Sequence, residues 1–344
     1  MIKVGIIGST GYVGHELLRI LTNHKKVKIA QISSYSYEGQ SIDSIYGNLN
    51  KISSLMCTNP EKVIASSDLV FTALPHGLSE EIAEKCLEKD KICIDLGADF
   101  RLKDEEEYSK WYGKNFSKPH IHPLSVYGLP ELNREKIRTS PIIANPGCYP
   151  TSIELALMPV LREKLIDTKS IVIDSKSGTT GAGRGLSQTT HFPECNENIL
   201  PYKIGEHRHL PEIQQILSEM ANTSVKVTFV PHLLPVNRGI LSTIYCTLNE
   251  TKDVGKVHNI YKNYYEKEAF VRVLEIGKTA SIRNVKYSNF CDISLHMDVE
   301  NSKLIIVSAI DNMVKGAAGQ AIQNMNIVLG IDEGEGLNFI PPAF

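Results

Sequence analysis

Apolar and polar positions divide the chain into two textures. Lys3 to Ile7 is a short, mostly apolar run that stops at Gly8. A run of that length closed by a glycine turn predicts a buried parallel strand. The segment Glu16-Leu17-Leu18-Arg19-Ile20-Leu21 follows, with apolar residues at helical spacing. Further strand-like runs stand at Val27 to Ile32, Leu69 to Leu74 and Ile92 to Leu96, with a helix-like stretch from Ser79 to Lys89. Alternating strands and helices predict a doubly wound parallel sheet. From about Lys169 the pattern changes. Ser170 to Asp174, Val225 to Val230, Gly239 to Leu248, Phe290 to Met297 and Leu304 to Ala309 read as strands, several with a period of two. They predict a largely antiparallel sheet. Pro231 to Gly239 reads as a polar interruption within it, and a helix is expected from Asn324 to Leu329.

Between the first strand and helix lies Gly8-Ser9-Thr10-Gly11-Tyr12-Val13-Gly14. Strand, glycine turn and helix in that order form the context of a dinucleotide-binding turn. Gly8 permits the tight turn, Gly11 lets a pyrophosphate approach the backbone, and Gly14 lets helix pack on strand. All seven residues are candidate cofactor contacts. The glycines are spaced GxxGxxG, which points to NADP. The second strand ends in Ser33-Ser34-Tyr35, without the acidic residue that would grip a ribose 2′-hydroxyl. Ser33 and Ser34 leave room for a 2′-phosphate, so the expected cofactor is NADP(H). His76 follows a strand end and is expected to line the cofactor site. Arg101 is open between pairing with Asp99 and meeting an anionic substrate.

Candidate chemistry centres on Ala144-Asn145-Pro146-Gly147-Cys148-Tyr149-Pro150-Thr151. The run Ile142-Ile143-Ala144 ends at a turn signal, and Cys148 opens a helix-like segment. A thiol at a helix N-terminus meets unpaired N–H groups and the positive end of the helix dipole, which lower its pKa. The same N–H groups can hold the oxygen of a tetrahedral intermediate. Cys148 is therefore the expected acyl-accepting nucleophile. In Gly205-Glu206-His207-Arg208-His209-Leu210-Pro211-Glu212, two histidines precede a helix start announced by Pro211 and Glu212. No further ligands with zinc-like spacing accompany them, so no metal is expected, and an acid/base role beside Cys148 is the better use. The glycine-rich loop Ser177 to Gly185 is expected to close on substrate or nicotinamide through Gly181, with Arg184 forking a carboxylate or phosphate. Arg238 and His209 are further substrate candidates, and Asn312, before the small-residue stretch Lys315 to Gln320, is a cofactor candidate. Cys291 is expected to be a core residue.

Composition adds exclusions. With 344 residues the chain has room for two domains, and a net charge of −2 gives no cause to expect nucleic acid or membrane as partner. The opening apolar run is too short for a signal peptide, and no run reaches the roughly eighteen residues of a spanning helix. Seven scattered cysteines without a CxxC pair argue against zinc and disulfides, so a reducing cytoplasm is the expected location.

Together these stretches resemble the N-acetyl-gamma-glutamyl-phosphate reductases, relatives of aspartate-semialdehyde dehydrogenase. The resemblance rests on the Gly8 to Gly14 turn, Leu74-Pro75-His76-Gly77, Ala98 to Leu102, Tyr127 to Glu131, Asn145 to Thr151, Ser177 to Arg184, His207 to Ile213 and Lys315 to Gln320. It implies that Cys148 is the nucleophile, His207 the acid/base, and the reaction an NADPH-dependent reduction of an acyl phosphate in arginine biosynthesis. It also implies a Rossmann domain, 1–147 with 313–344, and an α+β catalytic and oligomerisation domain, 148–312, assembled as a homodimer or homotetramer. Gly97 stands where the family usually has serine, and Ser34 where an arginine commonly holds NADP. Two alternatives stay open: a reductase of an aspartyl or aminoadipyl phosphate, and an NADP-binding redox regulator without catalysis.

Overall fold

The computed structural model describes residues 1–250 and 253–343; Thr251, Lys252 and Phe344, which fall within the expected domain spans, lie outside the described residues. The chain forms two compact units, Met1–Pro146 with Ala317–Asn338, and Gly147–Gly316 with the tail from Phe339.

The first unit holds seven strands: β1 (Ile2–Ile7), β2 (Val27–Ser33), β3 (Cys57–Thr58), β4 (Leu69–Thr72), β5 (Ile92–Asp95), β6 (Ser125–Tyr127) and β7 (Ile142–Ala144). Their order is β3-β2-β1-β4-β5-β7-β6, and every pairing is parallel. Val4, Ile6, Val70, Phe71, Ile94 and Ile143 are wholly buried. Covering on both faces is why these strands are continuous apolar runs instead of alternating ones. The strand order turns back at β1, so Gly8, at its carboxyl end, sits at the topological switch point where such sheets take ligands. The helix Gly319–Val328 closes this unit. Two of its buried amides reach across to β6's end: Gln320 and Asn324 both donate to the Gly128 carbonyl, at 3.1 and 2.8 Å.

The second unit also has seven strands: β8 (Val172–Gly178), β9 (Leu200–Pro201), β10 (Thr228–Leu234), β11 (Ile240–Thr247), β12 (Val271–Val273), β13 (Cys291–Asp298) and β14 (Lys303–Ile310). The order is β12-β13-β14-β11-β8-β10-β9, antiparallel except for the β12–β13 and β8–β10 pairs. The expected interruption at Pro231 is instead strand: β10 continues through Leu234, with Pro231 in register with Ser175. The site tolerates proline because the next strand, β9, is only two residues long, which leaves β10 close to an edge.

The helix Cys148–Arg162 is buried from Tyr149 to Leu161 and packs on β11, β14 and the helix His209–Ala221. Burial on all sides accounts for its apolar sequence. Pro159 inside it lacks the N–H that would bond the carbonyl of Leu155. Tyr265 Oη donates to that carbonyl instead, and Tyr261 Oη donates to the carbonyl of Ala156 at 2.5 Å. Tyr265 thus supplies the bond that the proline cannot make.

Candidate active site

In the first unit the turn after β1 is built around two crowded glycines. Gly8 has φ of 87°, and a Cβ there would stand 2.4 Å from the Ala73 carbonyl oxygen. A Cβ on Gly14 would stand 2.2 Å from the Gly8 carbonyl oxygen. Only glycine fits either place. Gly11 differs: it caps the helix Tyr12–Leu21 in extended conformation, and its nearest neighbour would lie at an ordinary 3.5 Å. The open space beside Gly11 and the unpaired N–H groups of the first helical turn suit a pyrophosphate. The N–H groups of Gly8 and Ser9 and the Ser9 hydroxyl all donate to the Ser33 carbonyl, at 3.1, 3.0 and 3.0 Å. Ser34 Oγ lies 2.7 Å from Thr10 Oγ1. Ser33 therefore supports the turn through its backbone, while Thr10 and Ser34 form a hydroxyl pair. Tyr12 is 38% exposed and Val13 partly buried in the first turn.

Nearby charged residues are committed to structure. Asp99 accepts from the N–H groups of Gly77, Leu78 and Ser79 and from Tyr108 Oη, capping the helix Ser79–Leu87. Arg101 donates to the carbonyls of Asn145 and Leu96, both at 2.9 Å. His76 packs on Tyr112 with ring centroids 5.3 Å apart.

In the second unit Cys148 is the first residue of its helix, after Gly147 as N-cap. It is partly exposed and opens into a cavity of about 390 Å³ that also takes in Tyr202, Lys203, His207, Arg208 and His209. The turn is clamped. Glu212 Oε1 accepts the Gly147 N–H at 2.8 Å from within the helix His209–Ala221, where Pro211 falls in the first turn. A Cβ on Gly147 would stand 2.6 Å from His209 Nε2, so the imidazole lies directly on the glycine. On another side, a Cβ on Gly316 would stand 2.8 Å from Cys148 Cβ. These close approaches fix the backbone and the Cβ that carry the sulfur.

His207 Nδ1 accepts the backbone N–H of His209 at 3.1 Å, and its Nε2 lies 3.4 Å from Tyr202 Oη. The first bond assigns the proton of the neutral ring to Nε2. Burial, then the charges of Lys203 and Arg208, push its pKa down to about 4. The imidazole is therefore neutral at pH 7 and presents an N–H donor. Tyr202 Oη also bonds Tyr149 Oη at 3.2 Å, and Tyr149 reaches the His232 carbonyl at 3.3 Å. Burial pushes the Tyr202 phenol up to about 12, with a hydrogen bond to Tyr149 opposing and the Cys148 charge adding. The phenol stays protonated beside the thiol.

Of the residues singled out from sequence, Cys148, His207, His209 and Gly181 line this cavity. Arg184 is exposed on its loop and is not in the lining. Arg238 lies 3.6 Å from buried Asp311 and 4.9 Å from the Tyr287 ring centroid, also outside the lining. Asn312 accepts the Gly239 N–H at 2.7 Å and donates to Thr180 Oγ1 at 3.0 Å, tying the glycine-rich loop to β11. Cys291 is fully buried, 3.5 Å from Ser308 Oγ. Sequence reading passed over Tyr202 and Lys203, which lie in an irregular exposed stretch, and it took Glu212 only as a helix-start residue. Among the described residues no group of three or more His, Cys, Asp and Glu is placed to hold a metal ion. Nor does any helix among them have the length and apolarity to cross a membrane.

Two family models match: "Semialdehyde dehydrogenase, NAD binding domain" over residues 3–140 and "Semialdehyde dehydrogenase, dimerisation domain" over residues 148–312. Solved aspartate semialdehyde dehydrogenases share the fold. One from Vibrio cholerae, complexed with ASA, has a TM-score of 0.74 at 18% identity, covering 96% of this chain and 98% of that one. One from Candida albicans, with NADP, has a TM-score of 0.70 at 17% identity over 96% and 98%. The class is thus a semialdehyde dehydrogenase. Curated relatives narrow it. N-acetyl-gamma-glutamyl-phosphate reductase of Clostridium botulinum (strain Eklund 17B / Type B) is 64% identical over the whole of both chains. Those of Clostridium beijerinckii and Brachyspira hyodysenteriae are 60% and 56% identical, again over the whole of both. Within the semialdehyde dehydrogenases, this chain belongs to the N-acetyl-gamma-glutamyl-phosphate reductase family.

Proposed function

We propose that the chain reduces N-acetyl-L-glutamyl 5-phosphate to N-acetyl-L-glutamate 5-semialdehyde and phosphate in arginine biosynthesis, through a thioester on Cys148. The observation that carries the mechanism is a thiol at the first position of a buried helix, in a cavity it shares with a neutral imidazole. NADP(H) suits the first unit: Gly8 and Gly14 hold the turn, Gly11 leaves space for a pyrophosphate, and the paired hydroxyls of Thr10 and Ser34 are our candidates for the 2′-phosphate contact. When bound, NADPH supplies the hydride.

Cys148 attacks as thiolate, forming the S–C bond while the carbonyl pair moves to oxygen; the carbonyl then re-forms, the acyl C–O bond breaks, and phosphate leaves with the bonding pair. Backbone N–H groups at the start of its helix stabilise the oxyanion of each tetrahedral adduct. His207 donates from Nε2 to the same oxygen as its charge develops. After reduction, the oxyanion re-forms the carbonyl and expels the Cys148 thiolate, releasing the semialdehyde. His209 packs directly on Gly147, and the Glu212 carboxylate accepts its N–H. The second unit matches a dimerisation domain, and we place the enzyme in the cytoplasm as a homodimer or homotetramer.

NADP reduction with the semialdehyde at slightly alkaline pH, with and without phosphate, tests this reading. Phosphate-dependent turnover that Cys148→Ser abolishes is expected. Turnover surviving in that variant would move the nucleophile. Turnover only with the homologue one methylene longer would change the substrate, and none with either would favour a binding protein.

A further inference from the structure

Two cationic side chains line the cavity around Cys148. Lys203 and Arg208 both line it, together with the hydroxyls of Ser187, Thr189 and Thr190, and no Asp or Glu is among its lining residues. Burial is the main cause of the lowered His207 pKa, and the charges of Lys203 and Arg208 add to it, in keeping with their place in the same cavity. A built cavity lined by two cations and neutral hydroxyl donors suits a ligand with two separate anionic groups. The acyl phosphate is such a ligand: it has an α-carboxylate at one end and a phosphate at the other. The guanidinium of Arg208 offers a fork to either group, and Lys203 a point charge.

We propose that Lys203 and Arg208 are the anion-binding residues of this site, one seating the phosphate and the other the α-carboxylate. The assignment rests on the activity proposed above, and it takes the place of Arg184 and Arg238, which lie outside the cavity. Because the two anionic groups sit at opposite ends of one substrate, the two side chains also set its direction across Cys148.

The reverse reaction separates the two subsites, because there the carboxylate belongs to the semialdehyde and the phosphate is free. KM for each is measured with Lys203→Met and Arg208→Met. One variant is expected to raise KM for phosphate and the other KM for the semialdehyde, each by ~10- to 100-fold, the usual loss for a hydrogen bond to a charged group. Changes in kcat stay within a few fold, and Lys203→Arg recovers most of the affinity. Both variants keeping both KM values, or losing kcat alone, overturns the proposal. A second readout does not need turnover: inorganic phosphate slows alkylation of Cys148 by iodoacetamide in the wild type but not in the variant that has lost the phosphate subsite. Equal protection of wild type and both variants overturns the proposal even if the wild type reduces nothing, whereas failure of turnover with selective loss of protection overturns only the activity.

Discussion

Replacing Gly316 by alanine sets two opposed magnitudes against each other beside the nucleophile. The residue sits in the single π-helical turn Val314–Ala318, so alanine gains helix propensity of about 1 kcal/mol over glycine. Its Cβ, however, would stand 2.8 Å from Cys148 Cβ and 3.2 Å from both Cys148 Cα and Ile310 Cδ1. Carbon atoms settle at about 3.5–4.0 Å, so the cysteine must retreat by roughly 1 Å. Overpacking of this kind costs about 1–3 kcal/mol, which exceeds the propensity gain. The net loss of stability is therefore modest, up to about 2 kcal/mol. The catalytic loss is larger, because a displacement of ~1 Å at a reacting atom costs roughly a hundredfold in rate. Urea unfolding, the iodoacetamide rate at Cys148 and kcat measure the three parts. A small fall in the unfolding midpoint with a kcat drop of about a hundredfold is expected. Wild-type kcat with unchanged stability would refute the claim that the glycine fixes the Cβ that carries the sulfur.

Three further outcomes follow from the same geometry. His207 has a folded pKa of about 4, below the roughly 6.5 of an unfolded histidine, so between those values the unfolded chain binds more protons. Its contribution is whole above pH ~6.5 and falls as pH drops through that window, by about 3 kcal/mol in total; urea unfolding of His207→Gln at pH 7 and 4.5 should show a flatter pH dependence than the wild type, and an equal one would contradict it. Tyr265→Phe strands the Leu155 carbonyl that Pro159 cannot bond, costing about 1–3 kcal/mol. In a Pro159→Ala background the restored N–H should shrink that cost, and a double-mutant cycle with no coupling would show that the tyrosine is not a repair. Gly14→Ala collides with the Gly8 carbonyl, whereas Gly11→Ala meets nothing closer than 3.5 Å. NADPH titration and thermal unfolding should show both functions lost in the first variant but only binding weakened in the second; equal stability loss in both would be evidence against the assigned roles.

How much of this was legible depended on whether local sequence or tertiary contact decided the outcome. The parallel sheet showed itself through runs such as Leu69 to Leu74, because burial on both faces leaves no polar alternation. The glycine turn was legible since steric exclusion at Gly8 and Gly14 acts within one strand–helix unit. The helix start at Cys148 was legible because Asn-Pro-Gly breaks the chain just before an apolar helix. In the second sheet, alternation marked the strands but not their direction, so the parallel β8–β10 and β12–β13 pairs were not foreseen. The place of the arginines was set by tertiary contact: Arg184 and Arg238 are not among the residues lining the Cys148 cavity, and Arg238 lies 3.6 Å from buried Asp311. The cations that do line the cavity, Lys203 and Arg208, are brought there by a stretch without a regular period. Glu212 announced a helix correctly, but its bond to Gly147 spans 65 positions and has no local signature.

The central claim is that Cys148 carries the acyl group. The most direct test supplies N-acetyl-L-glutamyl 5-phosphate, generated in place by a kinase, to the enzyme without NADPH and follows intact mass. The account predicts one acyl group added per chain, located on the peptide holding Cys148, removed by inorganic phosphate or hydroxylamine, and absent in Cys148→Ser. Acylation that persists in that variant, or lies on another peptide, would contradict it.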